Sequence, residues 1–304
     1  MVFYVRVLGS SSATIQKKRG VTSHYISCHG TGFLVDCGEG TQLQLRRFDV
    51  HQQKIDHIFI SHLHGDHFFG LIGLLSTNHL FHRQKPLHLY APKMLKEIID
   101  IQLLASGTAL CYPLIFHDID DEYEGVLFEN KYLEVFTFKL KHQIPTHGFL
   151  FKEKPKLRRI NMDIVSSEKI PLELLRDIKN GSDYIKDSGE VLKNIDITLP
   201  PRKVRSYAFC SDTGYYEAIL PWIKGVDLLY HESTFLSGDE PSKRLAEYHS
   251  TAADAAKIAL KANVGKLMLG HFSVRYKDVV PFLNEARQIF NETILAVDGK
   301  MYKI

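Results

Sequence analysis

The sequence predicts an α/β or α+β fold, and three observations carry this prediction. The composition, with 44% hydrophobic and 24% charged residues, is that of a globular protein. Short β-rich runs alternate with helical stretches along the 304 residues, which favours a mixed architecture over a helical bundle or an all-β sandwich. Several of the β-rich runs also end on a histidine or an aspartate, which is typical of a site at one edge of a sheet.

Five strand-like runs each lead to a side chain that can bind a metal or transfer a proton. Because ligands bind beyond the carboxyl ends of strands in open α/β sheets, we expect these ends to converge on one site. The runs, with the residue that each delivers, are His57–Ser61 with His62, Leu133–Leu140 with His142, Tyr207–Cys210 with Asp212, Leu228–Tyr230 with His231, and Lys266–Leu269 with His271.

Apolar periodicity predicts helices over Leu95–Leu104, Tyr215–Ile223 and Thr251–Lys261, the last opened by a weak capping box of Thr251 and Asp254. The stretch Lys152–Pro201 differs from its surroundings, because turn residues and charges dominate it. We interpret it as an inserted arm in a single domain that spans residues 1–304. A solvated loop region is the alternative, since runs of charge usually face water.

Charge and composition exclude several classes of protein. The net charge of +3 is too small for a polycation, so any contact with nucleic acid must come from a local basic surface. The first residues lack the pattern of a signal peptide, and the longest apolar runs, such as Leu71–Leu75, are too short to span a bilayer. We therefore expect a cytoplasmic protein without membrane contact. The cysteines lack the spacing of a zinc knuckle, and we expect small buried groups without a structural disulfide at Cys28, Cys37, Cys111 and Cys210.

The densest group of metal-ligand residues is the segment Ser61-His62-Leu63-His64-Gly65-Asp66-His67, which follows a predicted strand. In an extended loop the alternate residues His62 and His64 point the same way, and Gly65 lets the chain turn sharply toward Asp66 and His67. Imidazole suits zinc, and a carboxylate binds a metal or orients its water. The segment can therefore supply part of a two-metal site.

This pattern, His-x-His-x-Asp-His after a strand with a distant His, Asp and His, resembles the metallo-β-lactamase superfamily. Within it the sequence is similar to the short form of the ribonuclease Z family, the endonucleases that process the 3′ end of tRNA. The resemblance spans nearly the whole chain. The segments that carry it are Leu8–Ala13, Asp36–Gln42, Ile58–His67, Phe69–Leu71, His231–Thr234, His249–Ala253 and His271–Tyr276.

The resemblance implies a metallo-β-lactamase αβ/βα sandwich, in which two mixed β-sheets are flanked by helices. It also implies two Zn²⁺ ions per chain, although ligands of this kind accept Mn²⁺ or Fe²⁺ as well. The implied ligands are His62, His64 and His142 for one ion, Asp66, His67 and His271 for the other, and Asp212 as the bridge.

The implied reaction is removal of the 3′ trailer from precursor tRNA, which leaves a 3′-hydroxyl on the tRNA and a 5′-phosphate on the trailer. In this reaction Asp66 orients the attacking water as general base, and His249 protonates the departing ribose oxygen while Glu232 holds its imidazole. Ser273 and Arg275 are expected phosphate contacts. The family also implies a homodimer.

Two departures from the family's pattern leave parts of substrate recognition open. Gln16–Gly20 stands where many members have Pro-x-x-x-Arg-Asn, and Lys152–Pro201 lacks the glycine-proline knob of many bacterial exosites. Two other functions remain, namely a phosphodiesterase or sulfatase of the same fold that acts on a small ester, and a non-enzymatic RNA-binding scaffold. The complete ligand set and the segments Gly38–Gln42 and His249–Thr251 favour the endonuclease.

Overall fold

The computed structural model describes residues 2–239 and 247–304. The chain forms two compact units, a larger one made of residues up to Lys152 and from Ser206 onward, and a smaller one of Glu153–Arg205. The larger unit contains two sheets of seven strands each. In the part of the chain that the structure describes, no helix has the length and apolar character needed to cross a membrane.

The first sheet is mixed. In spatial order its strands are β18 (Met301–Lys303), β1 (Phe3–Gly9), β2 (Ser23–Cys28), β3 (Thr31–Val35), β4 (Ile55–Phe59), β5 (Leu87–Ala91) and β6 (Leu114–Asp118). The pairs from β18 to β3 are antiparallel, whereas those from β3 to β6 are parallel. The parallel half directs the carboxyl ends of β3 and β4 to the same edge, where Asp36 and His62 follow.

The second sheet is also mixed, with its parallel strands at the opposite end of the order. Its strands are β17 (Thr293–Leu295), β16 (Leu267–Gly270), β15 (Leu228–Glu232), β14 (Ser206–Cys210), β9 (His147–Glu153), β8 (Leu133–Lys139) and β7 (Gly125–Glu129). Strands β14 to β17 are parallel, and β9 runs antiparallel to β14. The carboxyl ends of β14, β15 and β16 therefore also share one edge.

Helices of the larger unit flank both sheets, which confirms the predicted two-sheet sandwich. Among the described residues these helices are α1 (Thr41–Arg47), α2 (Gly65–Phe68), α3 (Leu71–Leu80), α4 (Met94–Ala105), α8 (Leu220–Ile223), α9 (Ala252–Lys261) and α10 (Val280–Arg287). The smaller unit contains α5 (Met162–Ser167), α6 (Leu175–Lys179) and α7 (Asn194–Ile197). Single turns of 3-10 helix occur at Gln52–Lys54, Leu172–Leu174 and Glu217–Ile219.

The core follows from the alternation of side chains along each strand. In β4, Phe59 faces the second sheet and packs against Phe149, with ring centroids 5.4 Å apart. Its neighbour Ile58 faces the other way and packs with Leu74 of α3 and Leu95 of α4. On the second sheet, small alanines of α9 bring that helix close to β14, β15 and β16. Three apolar layers thus hold the strand ends in place.

Most predicted elements are confirmed, with boundaries shifted by one or two residues. The predicted helix over Tyr215–Ile223 is wrong in its first half, where a bend and a 3-10 turn precede α8. Pro221 explains the late start, because proline lacks an N–H and is tolerated only in the first turn of a helix. At the start of α9, Thr251 and Asp254 form the predicted capping box.

The cysteines are free, as predicted, and three of them are buried. The prediction of burial is wrong for Cys111, which is exposed in the turn before β6. Its Sγ lies 3.4 Å from the carbonyl oxygen of His79 and 3.6 Å from that of Arg83. These polar neighbours replace the apolar packing that a buried thiol would have.

The smaller unit has its own short ladders and core. Strand β10 (Arg159–Ile160) pairs with β13 (Thr198–Leu199), and β11 (Tyr184–Ile185) forms a hairpin with β12 (Val191–Leu192). The buried core of this unit consists of Val165, Ile170, Ile178 and Ile197. The sequence analysis indicated mainly turns and charges in this stretch and did not predict the core.

Candidate metal centre

The histidine-rich loop after β4 runs beside the segment after β3. The Cys37 N–H donates to the carbonyl oxygen of His67 at 2.7 Å, and the Gly70 N–H donates to that of Cys37 at 2.9 Å. A Cβ at Gly38 would lie 2.1 Å from the carbonyl oxygen of Asp66, so only glycine allows this approach. Gly65 acts differently from the sequence-based expectation, because its missing side chain leaves room for the ring of Phe69.

Three imidazoles and one carboxylate form the first group of donor atoms, which all lie within 4.8 Å of one another. His64 Nδ1 lies 3.0 Å from His62 Nε2 and 3.1 Å from His142 Nε2. The Oδ2 atom of Asp212 lies 3.6 Å from His62 Nε2 and 3.8 Å from His142 Nε2. Residues from three strand ends thus surround one point.

A second group is formed by Asp66, His67 and His271. The Nε2 atoms of the two histidines lie 3.5 and 3.7 Å from Asp66 Oδ2. The other oxygen of Asp212, Oδ1, lies 3.2 Å from His67 Nε2 and 3.0 Å from His271 Nε2. Asp212 therefore directs one carboxylate oxygen to each group.

The donor set fits metal ions. The Nε2 atoms of His67 and His271 are buried and have no hydrogen-bond partner among the described residues. Burial lowers the pKa of His62, His64 and His142, so these imidazoles are neutral and offer lone pairs.

The second group lies among several carboxylates, and this negative charge raises the pKa values of its two histidines. Burial lowers the pKa of His271, but the carboxylates of Asp212 and Asp66 outweigh it and raise this pKa to about 10. The pKa of His67 is raised in the same way, against its burial, by Asp212, Asp66 and Asp36. These carboxylates attract positive charge, and a divalent cation supplies it as protons do. The two donor groups could therefore hold metal ions.

His249 and Glu232 form a pair beside this centre. His249 Nδ1 donates to Glu232 Oε1 at 2.8 Å, and the carboxylate is fully buried. Burial lowers the pKa of His249, but the charge and hydrogen bond of Glu232 outweigh it and raise the pKa. A donor atom of His249 also lies within 4.8 Å of donors of Asp212 and His271. The imidazole can therefore hold a proton close to the metal-binding atoms.

All five predicted strand ends meet here, but the residue predicted for the fifth, His231, does not face the centre. His231 is buried in β15, and its Nδ1 donates to the carbonyl oxygen of Glu232 at 2.8 Å. Successive residues of a strand point to opposite faces, so Glu232 rather than His231 points to the centre. The segment His231–Thr234 therefore contributes to the site through Glu232 and not through its first residue, His231.

A cavity of about 600 Å³ opens over the cluster. Ser273 and Arg275 line it, as do His64, Asp66 and His249. The N-terminal loop also contributes to the wall, because its residues 12–15 line the cavity. Arg19 lies at the far end of this loop and donates to the carbonyl oxygen of Tyr276 at 2.7 Å.

One carboxylate holds both ends of that loop. Asp298 accepts the Ser10 hydroxyl and the Gly20 N–H, each at 2.7 Å. Between these ends the Ala13 N–H donates to Asp66 Oδ2 at 2.8 Å. The loop is thereby attached to the metal-binding cluster.

Known proteins are similar to this chain in both sequence and fold. A ribonuclease Z of Cytophaga hutchinsonii is 46% identical over 306 residues, which cover 100% of this chain and 97% of that protein. A ribonuclease Z of Bacteroides fragilis is 44% identical over 297 residues, 98% of this chain and 97% of the relative. The chain belongs to the ribonuclease Z family.

Solved structures agree with this family assignment. The short form of human tRNase Z, ELAC1, superimposes with a TM-score of 0.69 over 98% of both chains at 26% identity. The metallo-β-lactamase fold protein YhfI of Bacillus subtilis gives the same TM-score over 99% of both chains, but at 16% identity it supports the fold alone. A family model described as anti-Pycsar protein Apyc1 matches residues 3–150.

In this member of the ribonuclease Z family, the cluster is supported by a buried carboxylate to which no role was assigned in the sequence analysis. Asp36 is fully buried and accepts the N–H and the hydroxyl of Ser61 at 2.8 and 2.9 Å. It also accepts from His67 Nδ1 at 2.7 Å, which turns His67 Nε2 toward Asp212. An acidic residue between a buried strand and a glycine was the available signal for this role.

Asp36→Asn should weaken metal binding about 10- to 100-fold, because His67 loses the carboxylate that orients its ring and increases its basicity. Competition with a chromophoric chelator measures the affinity. Asp227→Asn is a matched control, since Asp227 accepts the N–H and hydroxyl of Ser206 at 2.8 and 3.2 Å, as Asp36 does those of Ser61. Equal affinity in the Asp36 variant and the control would contradict the role of Asp36.

Proposed function

We propose that this chain removes the 3′ trailer from precursor tRNA with a two-metal centre. As a member of the ribonuclease Z family, it is a hydrolytic endoribonuclease. The observation that carries the proposed mechanism is the position of Asp212, whose two oxygens face two separate groups of imidazoles. The products are a tRNA with a 3′-hydroxyl and a trailer with a 5′-phosphate.

The experiment that tests this function compares two substrates. Purified protein with divalent metal should cut a precursor tRNA at the base of its trailer, and end mapping identifies the 3′-hydroxyl and the 5′-phosphate. Bis-p-nitrophenyl phosphate tests for general phosphodiester hydrolysis. Cleavage of the small ester without cleavage of the precursor would favour the small-ester hydrolase, and RNA binding without hydrolysis of either would favour the scaffold.

The proposed ligands are those that the two donor groups contain. His62, His64 and His142 would hold one ion, Asp66, His67 and His271 the other, and Asp212 both. Zinc is the proposed metal, because imidazole and carboxylate ligands suit it, and Mn²⁺ or Fe²⁺ would bind the same donors. When bound, two such ions neutralise charge on the attacked phosphate and lower the pKa of water.

Asp66 is the proposed general base. Burial opposes its ionisation, but His67 and His271 outweigh this effect and hold its pKa well below the usual range. The carboxylate is therefore charged at neutral pH and can accept a hydrogen bond from water. The Ala13 N–H fixes the orientation of this carboxylate through Oδ2.

His249 is the proposed general acid for the departing 3′ oxygen. Glu232 supports this role, because a carboxylate at 2.8 Å favours the protonated imidazole and sets its direction. Glu232 is itself fixed by the N–H groups of Thr213 and Thr234, at 2.9 and 3.1 Å. Ser273 and Arg275, which line the cavity, are the proposed phosphate contacts.

A homodimer is also proposed. On α4, the exposed side chains of Met94, Ile101 and Leu104 follow a helical stripe, with exposed fractions of 57%, 66% and 82%. Exposed apolar surface of this kind marks interaction sites, and a second copy is the occupant that the family implies. Light scattering should give the mass of two chains, and the mass of one chain would contradict the proposed homodimer.

A cytoplasmic location stays a prediction.

The arm is proposed as an insertion at about 152–201 in a single metallo-β-lactamase-like domain, and as a contact for RNA. The separate core of Glu153–Arg205 supports an inserted unit. Deleting it should raise KM for precursor tRNA and leave small phosphodiester hydrolysis largely intact, because the donor groups lie outside it.

Metal analysis should find about two divalent ions per chain at saturation. Asp212→Ala should reduce binding of both ions, because each group loses the oxygen that faces it. Inductively coupled plasma mass spectrometry after gel filtration measures the content. One ion at saturation would contradict the two-metal proposal, and selective loss of one ion in the variant would contradict the bridge.

His249→Ala should retain both metals and bind precursor tRNA, yet cleave it about 10²–10⁴-fold more slowly, the usual scale for general acid catalysis. A p-nitrophenyl ester should be affected much less, because its leaving group departs without a proton. Single-turnover rates on both substrates and the metal content measure this difference. Loss of metal, or equal slowing of both substrates, would make His249 part of the metal shell or a structural residue.

Glu232→Gln gives the matching pH test. Without the carboxylate the pKa of His249 falls, and a general acid must be protonated to act. Cleavage of precursor tRNA should therefore decline at lower pH in the variant than in the wild type. Identical profiles on the alkaline side would contradict the pairing.

A further inference from the structure

The N-terminal loop, from Ser10 to Gly20, lies between β1 and β2 and contains neither helix nor strand. Ser10, Ser11, Ser12 and Gly20 at its two ends are buried, whereas residues 13–15 in its middle are exposed. Packing of side chains therefore does not fix the middle of the loop. Its conformation depends on how the two ends are held.

Ala13, in the exposed middle of the loop, has a left-handed backbone conformation with a φ of 57°. This conformation is about 5- to 30-fold unfavourable for alanine, because the Cβ comes close to the following carbonyl oxygen. A residue keeps it only where the surrounding structure imposes it, and such residues cluster at functional sites. Here the strained backbone directs the Ala13 N–H to Asp66 Oδ2 at 2.8 Å.

The hydrogen bond from Ala13 distinguishes the two carboxylate oxygens of Asp66. Oδ2 accepts this bond and lies 3.5 and 3.7 Å from Nε2 of His67 and His271. Among the described residues no hydrogen bond reaches Oδ1. Rotation about the last bond of an aspartate is soft, so the two oxygens can exchange places when nothing holds one of them. The Ala13 N–H thus leaves Oδ1 as the oxygen that can accept from water.

Asp298, in the turn between β17 and β18, holds both ends of the loop with separate oxygens. Its Oδ1 accepts the Ser10 hydroxyl and its Oδ2 accepts the Gly20 N–H, each at 2.7 Å. Gln44 of α1 also donates to Oδ2, at 3.3 Å, which links the carboxylate to that helix. Burial raises the pKa of Asp298 to about 6, so at pH 8 the group is ionised and both oxygens accept.

We propose that Asp298 is a positioning residue for hydrolysis, which holds the N-terminal loop so that the strained Ala13 N–H keeps Asp66 in its reactive orientation. This inference rests on the proposed function, in which Asp66 is the general base. Asp298 does not line the cavity over the cluster, so its effect on the reaction passes through the loop. A loop that served only to bind RNA would change KM for precursor tRNA, whereas one that orients the base changes kcat on any phosphodiester.

Asp298→Asn tests the proposal, because the amide nitrogen of asparagine cannot accept a hydrogen bond and one end of the loop is released. Asp227→Asn is the matched control. Asp227 also accepts from a backbone N–H and a serine hydroxyl, both of Ser206, but it precedes β15, whereas the site follows that strand. Ser10→Ala removes a single bond and serves as a milder variant if Asp298→Asn does not fold. Steady-state kinetics with precursor tRNA and bis-p-nitrophenyl phosphate, at pH 8 and saturating metal, give kcat and KM.

Asp298→Asn should lower kcat about 5- to 30-fold on both substrates, since Ala13 then leaves the left-handed conformation by the factor that this conformation is unfavourable. KM should stay within about twofold for both substrates, because binding of the substrate does not depend on the orientation of Asp66. Ser10→Ala should act in the same direction with a smaller loss, and Asp227→Asn should match the wild type.

A glycine at position 13 gives a readout that a general loss of structure would not move. Glycine adopts the left-handed conformation as readily as the right-handed one, so the loop no longer has to impose it. In an Ala13→Gly background, Asp298→Asn should therefore lower kcat by no more than about twofold. A variant that is merely unfolded would not regain activity in this way, since glycine increases the freedom of the unfolded chain.

Hydrogen exchange of the metal-free protein tests the anchor without any reaction. Amides of residues 11–19, followed by mass spectrometry of peptides, should exchange faster in Asp298→Asn than in the wild type or Asp227→Asn, because the loop opens more often.

The proposal is overturned if Asp298→Asn keeps the kcat or the loop exchange of the wild type, or if its loss of kcat is the same in the Ala13→Gly background. A rise in KM for precursor tRNA alone would also overturn it and make the loop an RNA contact. Failure of the proposed function is distinct, because the wild type would then leave precursor tRNA uncut, while hydrolysis of bis-p-nitrophenyl phosphate and amide exchange still report on Asp298.

Discussion

The centre of this protein depends on the buried carboxylate of Asp212, which faces two groups of imidazoles at once. A charge in such a place is costly unless opposite charge lies close by, since burial removes its hydration. The surrounding structure supplies that charge from both sheets. The loop after β4 brings histidines from one sheet, and the ends of β8 and β16 bring histidines from the other. The carboxylate is therefore stable only when the two sheets pack so that the histidines of both sheets reach it.

The support around the imidazoles follows the same physical logic. Asp36 accepts from His67, Thr234 lies 2.9 Å from His271 Nδ1, and the carbonyl oxygen of Tyr248 accepts from His142 at 3.0 Å. Each of these bonds occupies Nδ1 and turns Nε2 toward the centre. The tautomer of each ring is thus set by a neighbour that is not itself a ligand.

The strands and their common edge could be predicted because each of these apolar runs ends on a histidine or an aspartate, which is a local pattern in the sequence. The two-sheet sandwich was implied only by the resemblance to the metallo-β-lactamase superfamily. The dense His62–His67 segment is local as well, so its spacing alone indicated a metal site. The position of Asp36 between a buried strand and a glycine was a signal in the sequence, but its partner could not be read there, because its role arises from packing against a loop about 30 residues away in the chain. Successive side chains of β15 point to opposite faces of the sheet. This alternation decides which residue at the end of the strand faces the cavity, and that residue is Glu232 rather than His231. The small core of the arm could not be predicted, because turn residues and charges dominate its sequence. The late start of α8, in contrast, could have been predicted from Pro221.

The bond between Asp298 and the N-terminal loop also constrains the order of events during synthesis. The loop emerges from the ribosome first, but the carboxylate that holds its two ends is made almost 280 residues later. Strand β1 likewise gains its outer neighbour only when β18 has been made. Until then the N-terminal loop beside Asp66 lacks the bonds that hold its two ends together. A nascent chain therefore carries the histidines and aspartates of both donor groups before the loop that lines the cavity is held at both ends.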